Sequence, residues 1–192
     1  MKPFSGNYGK TFDFKGLGMK PFSIAISGCL YGQLCNYKGE ENPFESVAGL
    51  REGLGEAVTW VSFCPEEVVM GTPREPMNLV GGTGIDVLEG RARVLTHSGT
   101  DITEKMVEGA ERLLQVCQAN DVKLAILMEG SPACGSHWVF DGAVWPEKKL
   151  VEGSGVASAL LQKNGIQVMS PLDIEAIDSL KNWIEKTSIA GY

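Results

Sequence analysis

The sequence contains no apolar run of the ~20 residues needed to span a bilayer. Its first stretch, MKPFSGNYGKTFDFKGLGMKPFS, has lysines but no apolar segment of the secretory kind. Membrane insertion and export are therefore not expected, and the cytoplasm is the expected location. Positive charge is also in short supply. Lys and Arg number 17 against 24 Asp and Glu, giving a formal net charge of −7. A protein that grips nucleic acid without regard to sequence neutralises phosphates with surplus Lys and Arg, so this balance argues against a nucleic-acid partner. It leaves room for a local basic pocket that takes a small anion or a nucleotide. Histidine is limited to His97 and His137. The segment GGTGIDV lacks the third glycine of a dinucleotide fingerprint and is expected to run toward a strand, so it is not a nucleotide-binding loop. No linker-like segment divides the chain.

What remains is a polypeptide of 192 residues, 43% hydrophobic and 21% charged, enough for one domain with one sizeable core. Residues 1–22 are rich in Gly, Phe, Lys and Pro without periodicity and are expected to be an extended arm; residues 23–192 form the domain. The pentapeptide MKPFS occurs at Met1 and again at Met19, too short a match to establish a structural repeat.

Short apolar runs alternate with helical patterns. Strands are expected at Ser23–Ser27 (SIAIS), Ala57–Phe63 (AVTWVSF), Lys123–Met128 (KLAILM) and in IQVMS near the C-terminus. A further strand at Ala92–Thr96 is expected to pair across a turn with Ile85–Leu88. Helices are expected over Phe44–Gly53, Gly155–Lys163 and Pro171–Thr187. The clearest helix runs from Asp101 to Asn120. Asp101 and Glu104 have capping-box spacing, and Ile102, Met106, Ala110, Leu113, Leu114 and Cys117 make one apolar stripe. The stretches GCLYGQLCNYKGEENP and EEVVMGTPREPMNLVGG read as long loops. This order indicates an α/β fold: a mainly parallel sheet flanked by helices in a Rossmann-like three-layer arrangement, with a small hairpin insertion.

Five cysteines, an odd number without an export signal, point to a reducing compartment and to thiols used for chemistry or metal binding. Three of them share a position. Cys29 follows SIAISG, Cys64 follows TWVSF, and Cys134 follows LAILMEGSPA, each just beyond a core strand. Parallel strands would bring all three to one sheet edge, where open α/β sheets bind ligands. Three soft sulfur donors suit an iron–sulfur cluster, zinc or copper(I), and three ligands on a cubane cluster would leave one iron open as a Lewis acid. The spacing is neither a ferredoxin nor a zinc-finger pattern, and buried cysteines also serve as small hydrophobes. Cys117 lies on the helix stripe and reads as core. Cys35 reads as a fourth ligand, a redox partner or a bystander.

Glu66, two residues after Cys64, and Ser131, three before Cys134, would stand near the same edge, suited to proton transfer or to holding a substrate. The plain readings are an exposed helix-start carboxylate and a turn hydroxyl. Arg74, in TPREP, would bind an anion or a carbonyl, or form a surface ion pair worth little. His97 reads as a turn residue. His137 reads as an ordinary loop histidine or as a ligand or acid beside Cys134.

Taken together, SGCLYGQLCNYKG, FCPE, TPREP, GRARVLTHSGTDIT, AILMEGSPACGS, FDG and GSGVASALLQKNGIQV resemble the DUF523 family, whose characterised members include thiouracil desulfidase. The resemblance runs from about Ser23 to Met169 and omits the arm and the C-terminal helix. It implies a 4Fe–4S cluster held by Cys29, Cys64 and Cys134 with one open iron, and Cys35 outside the ligand set. It implies Glu66 and Ser131 as the catalytic carboxylate and hydroxyl. The implied reaction is a non-redox desulfidation of a small thiolated compound such as a thiouracil. Glu66 would activate water or relay a proton, and Ser131 would position the thiobase. Sulfide would be released or passed to an acceptor. Ala133 stands where the family pattern leads one to expect serine, and Trp138 and Trp145 are placed either to stack on a base or to pack. An iron–sulfur sulfide carrier without turnover, and a structural zinc protein, are the alternative readings.

Overall fold

The computed structural model describes residues 22–140, 142 and 150–189. The expected arm, apart from Phe22, therefore lies outside the described residues, as do Asp141 of FDG and Trp145.

The chain opens with β1 (Phe22–Ser27), a one-turn α1 (Gly28–Tyr31) and α2 (Glu45–Leu54). It continues through β2 (Val58–Phe63), α3 (Glu67–Met70), β3 (Met77–Val80), α4 (Gly84–Leu88) and β4 (Arg93–Thr96). The longest helix, α5 (Thr103–Ala119), leads to β5 (Leu124–Ile126). Then come β6 (Trp138–Phe140), β7 (Leu150–Glu152), α6 (Val156–Lys163), β8 (Gln167–Met169) and α7 (Ile174–Ile189).

Four strands form a parallel sheet in the order β2–β1–β5–β8. A parallel sheet is covered on both faces, so its inner strands have no polar side, which is why SIAIS and LAI read as unbroken apolar runs. Their alternate residues nevertheless serve different layers. Ile24, Ile26, Leu124, Ile126 and Met169 pack on Val47, Leu50 and Leu54 of α2 and on Ile177, Leu180 and Ile184 of α7. Ala25, Ala125, Leu127 and Val168 face Met106, Ala110, Leu113 and Cys117 of α5 and Val156, Ala157 and Leu161 of α6. Burying each large aliphatic side chain of these layers contributes ~1.5–3 kcal/mol before chain entropy is counted. The three-layer α/β/α fold is as expected.

The structure corrects four local expectations. Arg93–Thr96 pairs antiparallel with Met77–Val80, not with Ile85–Leu88, which is helical. Asp86 Oδ2 accepts hydrogen bonds from both the N–H (2.9 Å) and the hydroxyl (3.0 Å) of Thr83, which starts a helix there. Met77 and Leu79 alternate into the core as a half-buried strand requires. Second, GGTGIDV runs into α4 rather than into a strand. Gly84 is there for packing, since a Cβ on it would come within 2.3 Å of the Gly155 carbonyl group. Third, the long loop after Cys64 contains α3 and β3. Fourth, the α5 capping box does not form. Asp101 Oδ1 instead accepts from the N–H (3.0 Å) and hydroxyl (2.6 Å) of Thr103, and Glu104 is exposed. A second ribbon, β6 paired antiparallel with β7, was not foreseen beside the single expected hairpin. Among the described residues no helix is long and apolar enough to cross a membrane.

Candidate active site

Because β1, β2 and β5 are parallel, their C-terminal ends share one edge of the sheet, and the three expected thiols are carried there. Cys29 sits in α1 directly after β1, Cys64 follows β2, and Cys134 follows the turn after β5. Cys29 and Cys134 are buried and Cys64 is half-buried; all five cysteines are free thiols. Local sequence makes each approach possible. A Cβ on Gly28 would meet Cys35 Sγ at 2.9 Å and the end of the Gln33 side chain at 2.3 Å, so the absence of a side chain there lets Cys35 pack closely on α1. Asn36 Oδ1 then fixes the loop that carries Cys35 by accepting from Lys38 N–H (2.8 Å) and Glu40 N–H (2.9 Å). On the other side, Gly109 of α5 lets the Pro65 carbonyl oxygen come within 2.0 Å of where a Cβ would stand.

The returning loop places Cys35, buried, beside both Cys29 and Cys64. A hydrogen bond from Cys35, aided by one from Asn42, holds the Cys29 thiol below its ordinary pKa despite burial. The same Cys35 proton, shared between the two sulfurs, also lowers Cys64, and the Cys35 thiol itself is pushed up strongly because both neighbours favour its protonated form. Cys64 Sγ also accepts from Glu67 N–H (3.4 Å) and lies 3.8 Å from Arg74 Nη2. The Cys134 thiol is raised by full desolvation and by the nearby Glu66, Cys64 and Cys29, against a hydrogen bond with Ser27. These mutual influences put four sulfurs in one neighbourhood. Cys117 is buried in the α5 stripe, as expected.

Glu66 and Ser131 meet at this edge. Ser131 donates its hydroxyl proton to Glu66 Oε1 at 2.9 Å. Ser131 Oγ accepts the N–H groups of Ala133 (3.1 Å) and Cys134 (3.0 Å), which engages both of its acceptor sites and leaves the proton for Glu66. Glu66 is buried, which removes its reading as an exposed helix-start carboxylate. Arg74 closes the group from the other side, donating to Glu66 Oε2 from Nη2 (2.6 Å) and Nε (3.0 Å). This pair is buried, so the surface-ion-pair reading of Arg74 is corrected. Burial alone would lower the Arg74 pKa; the Glu66 carboxylate overrides that and raises it.

The loop that carries Cys134 is clamped. Glu129 Oε1 accepts from the N–H groups of Ser136 (3.1 Å), His137 (3.2 Å) and Trp138 (2.9 Å), and Oε2 accepts the Ser136 hydroxyl (2.8 Å). From the opposite side, the first N–H groups of α6 bond to the Pro132 and Ala133 carbonyls, and Ser158 Oγ donates to the Cys134 carbonyl at 2.6 Å. Ala133 is fully buried in this seam. His137 is directed to Asp173, with Nε2 at 3.0 Å from Oδ2. His97 is an exposed turn residue, as expected. A surface cleft of about 330 Å³, lined by Tyr31, Arg51 and Trp60 among others, lies between α2 and β2 and not at the sulfur edge.

Among the described residues no three His, Cys, Asp or Glu side chains are grouped as ligands to one metal ion. The set is instead three thiols from three strand ends, with N–H donors aimed at Cys64 Sγ. Soft donors distributed in this way fit a multi-atom iron–sulfur centre better than a closed tetrahedral zinc site.

Residues 24–173 match a family model described as 2-thiouracil desulfurase. The chain belongs to the 2-thiouracil desulfurase family. A relative from Bacillus subtilis (strain 168), the uncharacterized protein YbbK, is 38% identical over 155 residues, covering 80% of this chain and 99% of that protein. Among solved structures, a [4Fe-4S]-dependent thiouracil desulfidase, TudS (DUF523Vcz), superposes with a TM-score of 0.67 at 32% identity, covering 84% of this chain and 98% of that one. The desulfurase match begins in β1 and ends at Asp173, before α7, so it encloses every thiol and polar group of the site. Reading the residues one by one under-rated three of them. Arg74 and Cys35 sit in loops, where distance along the chain hides their partners. Glu129, three residues beyond β5, gave no separate signal.

Proposed function

We propose that the protein is a non-redox desulfidase that hydrolyses the C–S bond of a small thiolated compound of the thiouracil class, with Glu66 and Ser131 as its catalytic residues. The observation that carries this reading is the Ser131–Glu66 hydrogen bond beside three thiols at the carboxyl edge of the sheet. The solved relative is [4Fe-4S]-dependent. Here Cys29, Cys64 and Cys134 would hold the cluster, and Cys35 would support Cys29 and Cys64 from outside the ligand set. When bound, such a cluster supplies a soft Lewis acid that polarises a thiocarbonyl.

The protein's own part is proton transfer and positioning. Ser131 has one proton to give, because its oxygen already accepts two backbone N–H groups. A thiobase that draws this proton frees Glu66 Oε1 to take a proton from water. Hydroxide then adds to the thiocarbonyl carbon, Glu66 returns its proton to the departing sulfur as the C–S bond breaks, and the added hydroxyl gives its proton back to Ser131 Oγ as the oxo group forms. The balance is one thiobase and one water in, one oxo base and one hydrogen sulfide out, with no change in oxidation state. The Ala133 and Cys134 N–H groups stabilise negative charge on Ser131 Oγ during the transfer.

The test is anaerobic reconstitution followed by iron and sulfide quantification and a 2-thiouracil assay. About four irons per chain, with loading lost on changing Cys29, Cys64 or Cys134, together with sulfide release lost in Glu66→Gln, is the expected result. A loaded cluster without turnover on any thiobase would replace hydrolysis with sulfide carriage. No cluster after reconstitution would overturn the proposal.

A further inference from the structure

Arg74 makes more polar contacts than any charge pair requires. Its backbone N–H donates to the Tyr37 carbonyl at 2.9 Å. Nη1 donates to the Cys35 carbonyl (3.1 Å), the Gly71 carbonyl (3.2 Å) and Thr72 Oγ1 (3.1 Å). Nε and Nη2 converge on Glu66 Oε2, and Nη2 also faces Cys64 Sγ at 3.8 Å. The guanidinium thus joins the loop carrying Cys35, the turn at Gly71–Thr72, the carboxylate and one thiol.

The form of the Glu66 contact matters. A carboxylate usually meets guanidinium fork to fork, using both oxygens. Here both nitrogens bond the same oxygen, Oε2, and Oε1 is left for Ser131. Rotation of the carboxylate is blocked, and only one of its oxygens can act as a base. We infer that Arg74 is the positioning residue of this site: it occupies Glu66 Oε2, presents Oε1 alone to Ser131 and the substrate, and ties that carboxylate to Cys64 Sγ. The inference rests on the proposed role of Glu66.

Lysine cannot reproduce this geometry. Its single ammonium keeps the charge but cannot reach Glu66 Oε2, the Cys35 carbonyl and Cys64 Sγ from one rigid plane. Arg74→Lys should therefore fold and load its cluster, while kcat for 2-thiouracil falls at least roughly tenfold and KM changes little. In a Glu66→Gln background the same substitution should cause no further loss, because a residue that acts through Glu66 has nothing left to position.

A second readout does not use turnover. Arg74→Gln removes a positive charge and an N–H donor from the side of Cys64. The midpoint potential of the bound cluster should move to more negative values in Arg74→Gln, and much less in Arg74→Lys, which keeps the charge. An unchanged kcat in Arg74→Lys, a loss that multiplies with that of Glu66→Gln, or an unchanged potential in Arg74→Gln would each overturn the inference. If Glu66→Gln itself retains wild-type kcat, the proposed role of Glu66 falls first and the inference falls with it. The two failures are therefore distinguishable.

Discussion

Ser131 and Glu66 are 65 residues apart in sequence and 2.9 Å apart in space, joined by a hydrogen bond from the serine hydroxyl to the carboxylate. One partner follows β2 and the other follows β5, strands that both neighbour β1 in the sheet. The bond therefore spans the end of β1, where Cys29 stands. Ser131 Oγ accepts the Ala133 and Cys134 N–H groups, and its own proton therefore points to Glu66.

Removing that proton should be costly in two ways. Ser131→Ala leaves the Ala133 and Cys134 N–H groups and Glu66 Oε1 without their partner. Unfolding should show a loss of ~1–3 kcal/mol, the range for orphaned buried polar groups. Desulfidation should fall by ~10²-fold or more, the scale of a lost proton-transfer group. Ser131→Thr, which keeps the hydroxyl, should recover part of the activity. Urea titration and a sulfide-release assay separate the two effects.

Cys35 should be dispensable for cluster loading. It supports Cys29 and Cys64 by hydrogen bonding, and three thiols remain without it. Cys35→Ala should bind iron at the wild-type stoichiometry and lose it faster to a chelator under anaerobic conditions. Loss of loading on reconstitution would instead make Cys35 a ligand.

Cys117 makes the cleanest pH prediction because it lies away from the site. Burial pushes its thiol up to about 12 from an ordinary value of 9.0. The folded protein holds a proton that the unfolded chain releases. The stabilisation is thus complete below about pH 9 and is lost progressively as pH rises toward 12, by up to roughly 4 kcal/mol. Cys117→Val should show a shallower decline in unfolding free energy between about pH 9 and 11 than the wild type. Parallel curves would show that this thiol is not the source.

Two glycines should respond in opposite directions to the same change. Gly49 is exposed in α2, and a Cβ there would meet nothing within 4 Å, so Gly49→Ala should stabilise by ~0.5–1 kcal/mol through helix propensity. In Gly109→Ala the same gain is overtaken by a clash with the Pro65 backbone oxygen, at 2.0 Å from the new Cβ. Because Pro65 follows Cys64, the variant should melt lower and retain its cluster poorly. A raised melting temperature in Gly109→Ala would show that the turn after β2 can yield.

The order of elements was legible because it is written in short segments. SIAIS and LAI are apolar on both sides, as buried parallel strands must be, and the α5 stripe repeats at helical spacing. Once the strands are parallel, their carboxyl ends share an edge, and the convergence of Cys29, Cys64 and Cys134 follows from position alone. The strand partner of Arg93–Thr96 was not legible, since apolar alternation in Met77–Val80 is brief and flanked by Pro and Gly. Nor was the burial of Arg74. A charged residue between two prolines has no local mark that separates a surface turn from an ion pair sealed under a loop. Whether it is sealed depends on where Cys35 and Glu66 arrive, and loops far apart in sequence meet only after the sheet has assembled. Local patterning determined the layers and the edge at which the thiols gather; long-range packing alone decided which oxygen of Glu66 meets Ser131 and which meets Arg74.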